Sequence, residues 1–272
     1  MICRFHCDLS YDGTAHRKTK GVKHIPTTYV FAGFFADQGA WDFIEREWVA
    51  INRVYEVDRF HASHLNFKSH EYAGWDDGRK ISYSAELLAV LEKVGKSLSA
   101  VSCGMFADEY REIISEEGQR KMGSPYIACF NSCITRVARA MDERGFPPEY
   151  RFSALIDEDD EYLLAIDRFN RIRDDPNFQH RSRMATCTSG NMGLIPALQP
   201  ADLVAYEVFK WMMKVREHPE GKPPPERFPL KSILKGNGVS EGYWDRKTFL
   251  RMKEDIEATP SIDGGLVIIP EN

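Results

Sequence analysis

Apolar residues recur along most of the chain with the two-residue period of a strand or the 3.6-residue period of a helix. In residues 2–7, Cys3, Phe5 and Cys7 alternate with Arg4 and His6, which predicts a strand with two unlike faces. Residues 27–36 are apolar almost throughout, as expected of a central strand that is buried on both faces. The pattern predicts further strands over residues 100–107, 151–156 and 183–188.

Helical spacing of apolar residues fills most of the intervals between these strands. It predicts helices over residues 41–55, 87–98, 124–145 and 163–172, and a long last helix that begins near Pro200, since proline suits the first helical turn. Residues 60–64 could form a short strand or a loop. Strands that alternate with helices of this length predict an α/β sheet with helices packed on both faces.

A proline-rich run divides the chain. Residues 218–229 contain five prolines and Gly221, which predicts an extended connector. We therefore expect one α/β domain over residues 1–216. Residues 217–272 would form the connector and an appendage packed on the core, with one helix over residues 243–257 and an apolar tail at 266–269.

Composition narrows the possible classes of protein. The chain has 272 residues, of which 43% are hydrophobic, and a net charge of -5, as in an ordinary globular protein. The negative charge weakly disfavours tight nonspecific nucleic-acid binding, which needs Lys and Arg to neutralise phosphates, although a local basic groove stays compatible. No segment has the apolar length of a membrane span, and the N-terminus lacks a signal-peptide core. The six dispersed cysteines are expected to be core residues in a reducing cytoplasm.

Three acids occupy positions that could carry chemistry. Asp8 and Asp157 follow predicted strands, and Asp202 lies in the first turn of the last helix, where the helix dipole favours a carboxylate. Taken singly, Asp202 could make only that dipole contact, and Asp157 could be a loop acid. Together the three could meet at one end of the sheet, an arrangement that holds divalent metals and cleaves phosphodiesters.

Four short motifs, spread in order over residues 1–215, resemble the domain of unknown function 3800 family. They are Asp8-x-Ser10, Phe60-His61, Ile156-Asp157 and the late motif Leu198-Gln199-x-Ala201-Asp202-Leu203. The resemblance implies a ribonuclease H-like fold, with a mixed sheet of about five strands and flanking helices. It also implies a divalent-metal site made of Asp8, Asp157 and Asp202. The chain departs from the family pattern at Leu9, where an acid is usual, at Tyr11, where glycine is usual, and before the late motif, where only Ser189 remains of Asp-Ser-Lys.

Two functions are compatible with this pattern. The first is a nuclease that uses two Mg²⁺ or Mn²⁺ ions, with Asp8 as the bridging ligand and Asp157 and Asp202 each completing one metal. Glu158 and Glu161 could be additional ligands or could hold the ligands in place from one layer further out. The second is a non-catalytic ribonuclease H-like module that binds nucleic acid or a protein partner, which the departures at Leu9 and before the late motif favour. The sequence does not indicate an oligomeric state.

Several neighbouring residues have two readings each. Ser10 could bind a phosphate oxygen or make a turn, and Gln199 could contact a ligand or cap the last helix. His61 could shuttle a proton beside the metals or, with His64, bind Zn²⁺ through a third ligand that is not assigned; a structural role is the alternative for both. A basic cluster could hold a nucleic-acid backbone or belong to a solvated loop; it comprises Arg17, Lys18, Lys20, Lys23 and His24.

Overall fold

Six strands form one mixed sheet in the computed structural model, which describes residues 2–11, 26–159, 161–218, 225–236 and 238–258. The order across the sheet is β5-β4-β1-β2-β3-β6. Strand β1 is antiparallel to β2 and parallel to β4, so it lies near the middle of the sheet. The strands are β1 (Ile2–Tyr11), β2 (Thr28–Ala36), β3 (Ser99–Phe106), β4 (Arg151–Asp157), β5 (Met184–Gly190) and β6 (Gly238–Trp244).

Helices cover both faces of this sheet, which confirms the α/β expectation. On one face, α6 and α7 pack on a core that includes Cys3, Phe5 and Cys7. On the other face, α1, α3 and α8 pack on the side of β2 that carries Val30 and Phe34. The helices are α1 (Gln38–Val54), α2 (Ala62–Phe67), α3 (Asp77–Val94), α4 (Ala107–Ile113), α5 (Glu116–Met122), α6 (Pro125–Glu143), α7 (Tyr162–Asp174), α8 (Gln199–Glu217), α9 (Phe228–Gly236) and α10 (Arg246–Ala258).

The fold differs from the expectation at two places, the edge of the sheet and residues 60–64. It has six strands rather than about five, because β6 pairs in parallel with β3. The segment after residue 217 therefore extends the sheet of the main domain, in addition to contributing α9 and α10. Residues 60–64 were expected as a short strand or a loop, but α2 begins at Ala62. The basic cluster at 17–24, most of the proline-rich connector and the apolar tail at 266–269 lie outside the described residues.

All six cysteines are free and buried, as expected of core residues. They lie in the strands β1, β3 and β5 and in the helix α6. Among the described residues, no helix is both long enough and apolar enough to cross a membrane.

Strand β1 approaches β2 so closely that one position excludes a side chain. A β-carbon on Gly33 would lie 2.0 Å from the backbone oxygen of His6 and 2.7 Å from the Cα atom of Cys7. Since both neighbours are backbone atoms, a side chain here must push the two strands apart.

We expect Gly33→Ala to destabilise the protein by about 3 kcal/mol, the upper range for overpacking, because the backbone of β1 has to move. Urea unfolding followed by circular dichroism measures this loss. Gly39→Ala, in the first turn of α1, is the matched control: its β-carbon would lie 3.4 Å from Asp37 Oδ1, so it should change stability little. Equal unfolding midpoints for the two variants would contradict the close approach of the strands.

Candidate carboxylate site

Adjacent parallel strands place Asp8 beside Asp157. Cys7 of β1 is in register with Ile156 of β4, so the residue that follows each of them lies at the same level of the sheet. Register partners on neighbouring strands point to the same face, so both carboxylates point to one side. Strand β1 runs on to Tyr11, so Asp8 lies within the strand rather than after its end, and it is only 8% exposed.

The third carboxylate comes from the start of α8. Helix α8 begins at Gln199, with Pro200 as its second residue, and Asp202 lies in its first turn, 4% exposed. Its Oδ2 atom accepts a hydrogen bond from the backbone N–H of Ala62 at 2.7 Å and lies 3.1 Å from Nδ1 of His61. The carboxylate therefore connects the start of α8 to the start of α2. The sequence pattern did not predict a helix at α2, so it did not predict this contact.

The charge of Asp202 acts on both of the other aspartates. Burial raises the pKa of Asp8 well above its usual range, and the charges of Asp202 and Asp157 raise it further. Burial also raises the pKa of Asp157 to about 6; a hydrogen bond from the N–H of Met192 opposes this rise, and the charge of Asp202 adds to it. Within the described residues, neither Lys nor Arg forms an ion pair with any of the three. Among the described residues, the carboxylates therefore interact with one another while none of them is paired with Lys or Arg.

These residues fit a hard divalent cation by type and charge. In the ranges that the structure covers, Asp8 Oδ2 and Asp202 Oδ1 have no hydrogen-bond partner, whereas Asp8 Oδ1 accepts from the N–H of Leu9 at 2.7 Å. Free carboxylate oxygens are the ligands that Mg²⁺ and Mn²⁺ prefer. However, no group of three or more His, Cys, Asp and Glu side chains among the described residues is arranged to hold a metal ion. The donors fit, but their present geometry does not reach coordination.

The nearby acids differ in their relation to the site. Glu158 is exposed and accepts from the hydroxyl of Ser189 at 3.4 Å, and Glu161 directly precedes α7. Asp159 is not among the predicted site residues, yet its charge also raises the pKa of both Asp8 and Asp157. Its effect is smaller than the effects of burial and of the charge of Asp202. The acidic run 157–161 is visible in the sequence, but which of its members face the site depends on the turn after β4.

Gln199 has a positioning role. It is 1% exposed, and its Oε1 atom accepts from Asn52 Nδ2 at 3.0 Å and from the N–H of Phe60 at 2.9 Å. Its Nε2 atom donates to the backbone oxygen of Met192 at 3.2 Å. These contacts correct the ligand-binding and capping readings, because the amide is occupied within the protein. They connect the segment before α2, the loop after β5 and the start of α8, which together surround the carboxylates.

Three histidines form a stack that leads from Asp202 to the surface. The ring centroids of His61 and His64 are 3.9 Å apart, and those of His64 and His70 are 4.0 Å apart. Burial lowers the pKa of His61, but the hydrogen bond with Asp202 and the charge of that carboxylate outweigh this and raise it overall. Burial and the charges of the two neighbouring histidines lower the pKa of His64 to about 4. The stack adds a third histidine to the expected His61–His64 pair, but not in an arrangement that would hold a metal.

Ser10 is half-buried and lies two residues after Asp8, so it is on the same face of β1 as the carboxylates. This position is compatible with a contact to a phosphate oxygen.

No family model, no curated protein and no solved structure matches the chain. The resemblance to the domain of unknown function 3800 family therefore rests on the four motifs alone, and function has to be argued from the geometry of the site.

The raised pKa of Asp157 predicts a pH-dependent effect of its replacement. The folded protein keeps a proton on this carboxyl up to about pH 6, whereas the unfolded chain releases it near pH 4. The resulting stabilisation is present at low pH and is lost as the pH rises through about 6. Asp157→Asn cannot titrate, so in EDTA we expect it to be more stable than the wild type by about 1 kcal/mol at pH 8, allowing for partial solvent screening.

Urea unfolding of both proteins at pH 4, 6 and 8 measures this difference. The greater stability of Asp157→Asn should shrink as the pH falls. It should be absent near pH 4, where Asp157 of the folded wild type is protonated and therefore neutral, as asparagine is. A variant that is less stable than the wild type at pH 8, or a stability difference that does not change with pH, would show that burial and the neighbouring charges do not raise the pKa of Asp157.

Proposed function

We propose that this protein is a divalent-metal-dependent phosphodiester hydrolase that acts on nucleic acid. The observation that carries the proposal is the set of three buried or half-buried carboxylates, Asp8, Asp157 and Asp202: the charge of Asp202 raises the pKa of both Asp8 and Asp157, and among the described residues none of the three forms an ion pair with Lys or Arg. A protein keeps such a cluster at a cost in stability, and a bound cation removes that cost. Sites that use divalent metals to cleave phosphodiesters are built from such carboxylates.

The topology supports a ribonuclease H-like version of this proposal. Strands β1, β2 and β3 are antiparallel neighbours, and β4 and β5 continue the sheet parallel to β1. A mixed sheet of this kind, with helices on both faces, is what the resemblance to the family implies. It also gives the carboxylates their positions, since Asp8 and Asp157 come from adjacent parallel strands. Strand β6 is an addition at the far edge of the sheet, next to β3.

Each of the three aspartates has its own role in the proposed site. Asp8, whose pKa is raised by the charges of both Asp202 and Asp157, would be the shared ligand, and Asp157 and Asp202 would each complete one metal. Bound Mg²⁺ or Mn²⁺ would supply the acidity that turns water into a nucleophile and the positive charge that stabilises the leaving oxygen. Hydrogen bonds from the N–H groups of Met192 and Ala62 hold two of the carboxylates in place.

His61 is positioned to exchange a proton beside these carboxylates. Its Nδ1 atom faces Asp202 Oδ2, which as a carboxylate oxygen accepts, so Nδ1 carries the hydrogen. The Nε2 atom is then the one that can take up or release a proton. The ring is half-buried, and its hydrogen bond to Asp202 fixes its orientation, as a group that moves a proton to or from a bound substrate requires.

A non-catalytic role in nucleic-acid or protein binding is the second candidate. Leu9 stands where the resembled family usually has an acid, and its side chain packs against the hydrophobic core. The described residues also contain no preformed group of three metal ligands. Under this alternative the three aspartates would be a remnant of a metal site, and binding would occur without cleavage.

Metal binding is the first test. Mn²⁺ should raise the melting temperature, because a ligand of the folded state stabilises it by about 2.7 kcal/mol at a hundred times its dissociation constant. The effect should disappear in Asp202→Asn. Asp167→Asn is the matched control, since Asp167 is an exposed surface residue paired with Arg171 and should leave the shift intact. A wild-type melting curve that is unchanged at millimolar Mn²⁺ would argue against a metal site.

Cleavage is the second test and separates the two candidates. Single- and double-stranded RNA, DNA and RNA–DNA hybrids should be examined with Mg²⁺ or Mn²⁺. We expect cleavage of at least one substrate, its loss in EDTA, and a fall of about a hundredfold or more in Asp8→Asn, because the shared ligand organises both metals. Asp167→Asn should retain the wild-type rate. If no substrate is cleaved in an Asp8-dependent way, the binding role replaces the nuclease.

A further inference from the structure

Arg59 lies beside the carboxylate site, and its side chain has no hydrogen-bond or ion-pair partner among the described residues. The residue is half-buried. Its Nη1 atom lies 3.4 Å from the position that a β-carbon on Gly193 would occupy. Gly193 follows Met192, whose N–H donates a hydrogen bond to Asp157. The charge of Arg59 also acts on His61 and His64. The guanidinium therefore lies between the loop after β5 and the histidine stack.

The position of Arg59 is fixed from both sides. The N–H of the next residue, Phe60, donates to the buried Gln199, and the backbone oxygen of Arg59 accepts from the hydroxyl of Tyr72 at 3.2 Å. A guanidinium whose backbone is held, and whose five N–H donors bond none of the described residues, is suited to an anionic ligand. Arginine binds phosphate through two parallel hydrogen bonds, which suits a phosphodiester approaching the carboxylates.

The outer end of the histidine stack is an exposed aromatic ring. His70 is exposed, and its inner face stacks on His64 with an interplanar angle of 26°. The backbone that presents this ring is unusual, since Lys68 has φ 51° and His70 has φ 55°. Residues other than glycine are uncommon in this left-handed region. The backbone of this loop therefore adopts an unfavourable conformation that holds the exposed His70 on the stack, where His64 occupies one face of its ring.

We propose that Arg59 and His70 form a nucleotide subsite beside the three aspartates, in which the guanidinium binds a backbone phosphate and the outer face of the imidazole carries an unpaired nucleobase. This inference rests on the proposed function and names its substrate class, a single-stranded nucleic acid. Bases of a single strand stack on aromatic side chains, histidine included. A base inside a duplex has both faces covered by its neighbours, so it cannot occupy the face of His70.

Binding of a fluorescent single-stranded oligonucleotide, followed by anisotropy, tests the subsite. The full chain should carry Asp8→Asn, so that the probe stays intact in the presence of Mn²⁺. His70→Ala should weaken binding by about fivefold or more, the effect of losing one stacked base, and His70→Phe should retain it. Arg59→Gln should weaken binding and reduce its salt dependence by about one phosphate contact. Exposed controls, His218→Ala and Arg251→Gln, should bind as the parent does.

A second arm uses altered probes. One abasic position in the oligonucleotide should weaken binding to the parent about as much as His70→Ala does, and it should have no further effect on that variant. A duplex of the same sequence should bind without sensitivity to His70. The subsite is overturned if His70→Ala and Arg59→Gln bind the single strand as tightly as the parent, or if His70 matters equally for the duplex.

The two proposals fail separately. If cleavage depends on Asp8 and metal while the Arg59 and His70 variants keep parental binding, the nuclease stands and the subsite is wrong. If those variants lose single-strand binding as described but no substrate is cleaved, the subsite stands and the protein is a binding module.

Discussion

Asp8 carries a carboxylate into the middle of the sheet, where burial and two neighbouring acids all oppose its charge. The cost follows from the fold: β1 and β4 are adjacent and parallel and place Asp8 beside Asp157, and the charge of Asp202, in the first turn of α8, raises the pKa of both. At neutral pH such a cluster either keeps protons or binds a cation. The proposed chemistry depends on this constraint, because the same crowding that destabilises the empty site favours a divalent metal.

The surroundings of the cluster are built to keep it in place. Gln199 is buried and uses both ends of its amide to connect the segment before α2, the loop after β5 and the start of α8. Asp202 adds a second connection through the N–H of Ala62 and the ring of His61. Buried, hydrogen-bonded polar groups of this kind specify one arrangement of the elements they join. The late motif thus supplies both a candidate ligand and the side chain that positions its neighbours.

Sequence periodicity predicted the central strands and the long helices well, because a two-sided core imposes a strict pattern on β1, β2 and α6. The same reasoning predicted that Asp8, Asp157 and Asp202 form a metal site at one end of the sheet, which stays a prediction; Asp8 itself lies within β1 rather than at its end. It missed β6, which lacks an alternating pattern and is held by pairing with the distant β3. It also missed Arg59 and His70, since their relation to the site is set by the turns around α2. Short-range patterns carry no information about such long-range contacts.

The most direct test of the account is the anomalous diffraction of crystals of the full chain soaked in Mn²⁺. The account predicts at least one Mn²⁺ peak at about 2.0–2.6 Å from a carboxylate oxygen of Asp8, with Asp157 or Asp202 as a second ligand. The side chains should move toward each other relative to the metal-free arrangement. Crystals that show no peak near Asp8, or a peak only at the histidine stack, would contradict a metal centre built from the three aspartates.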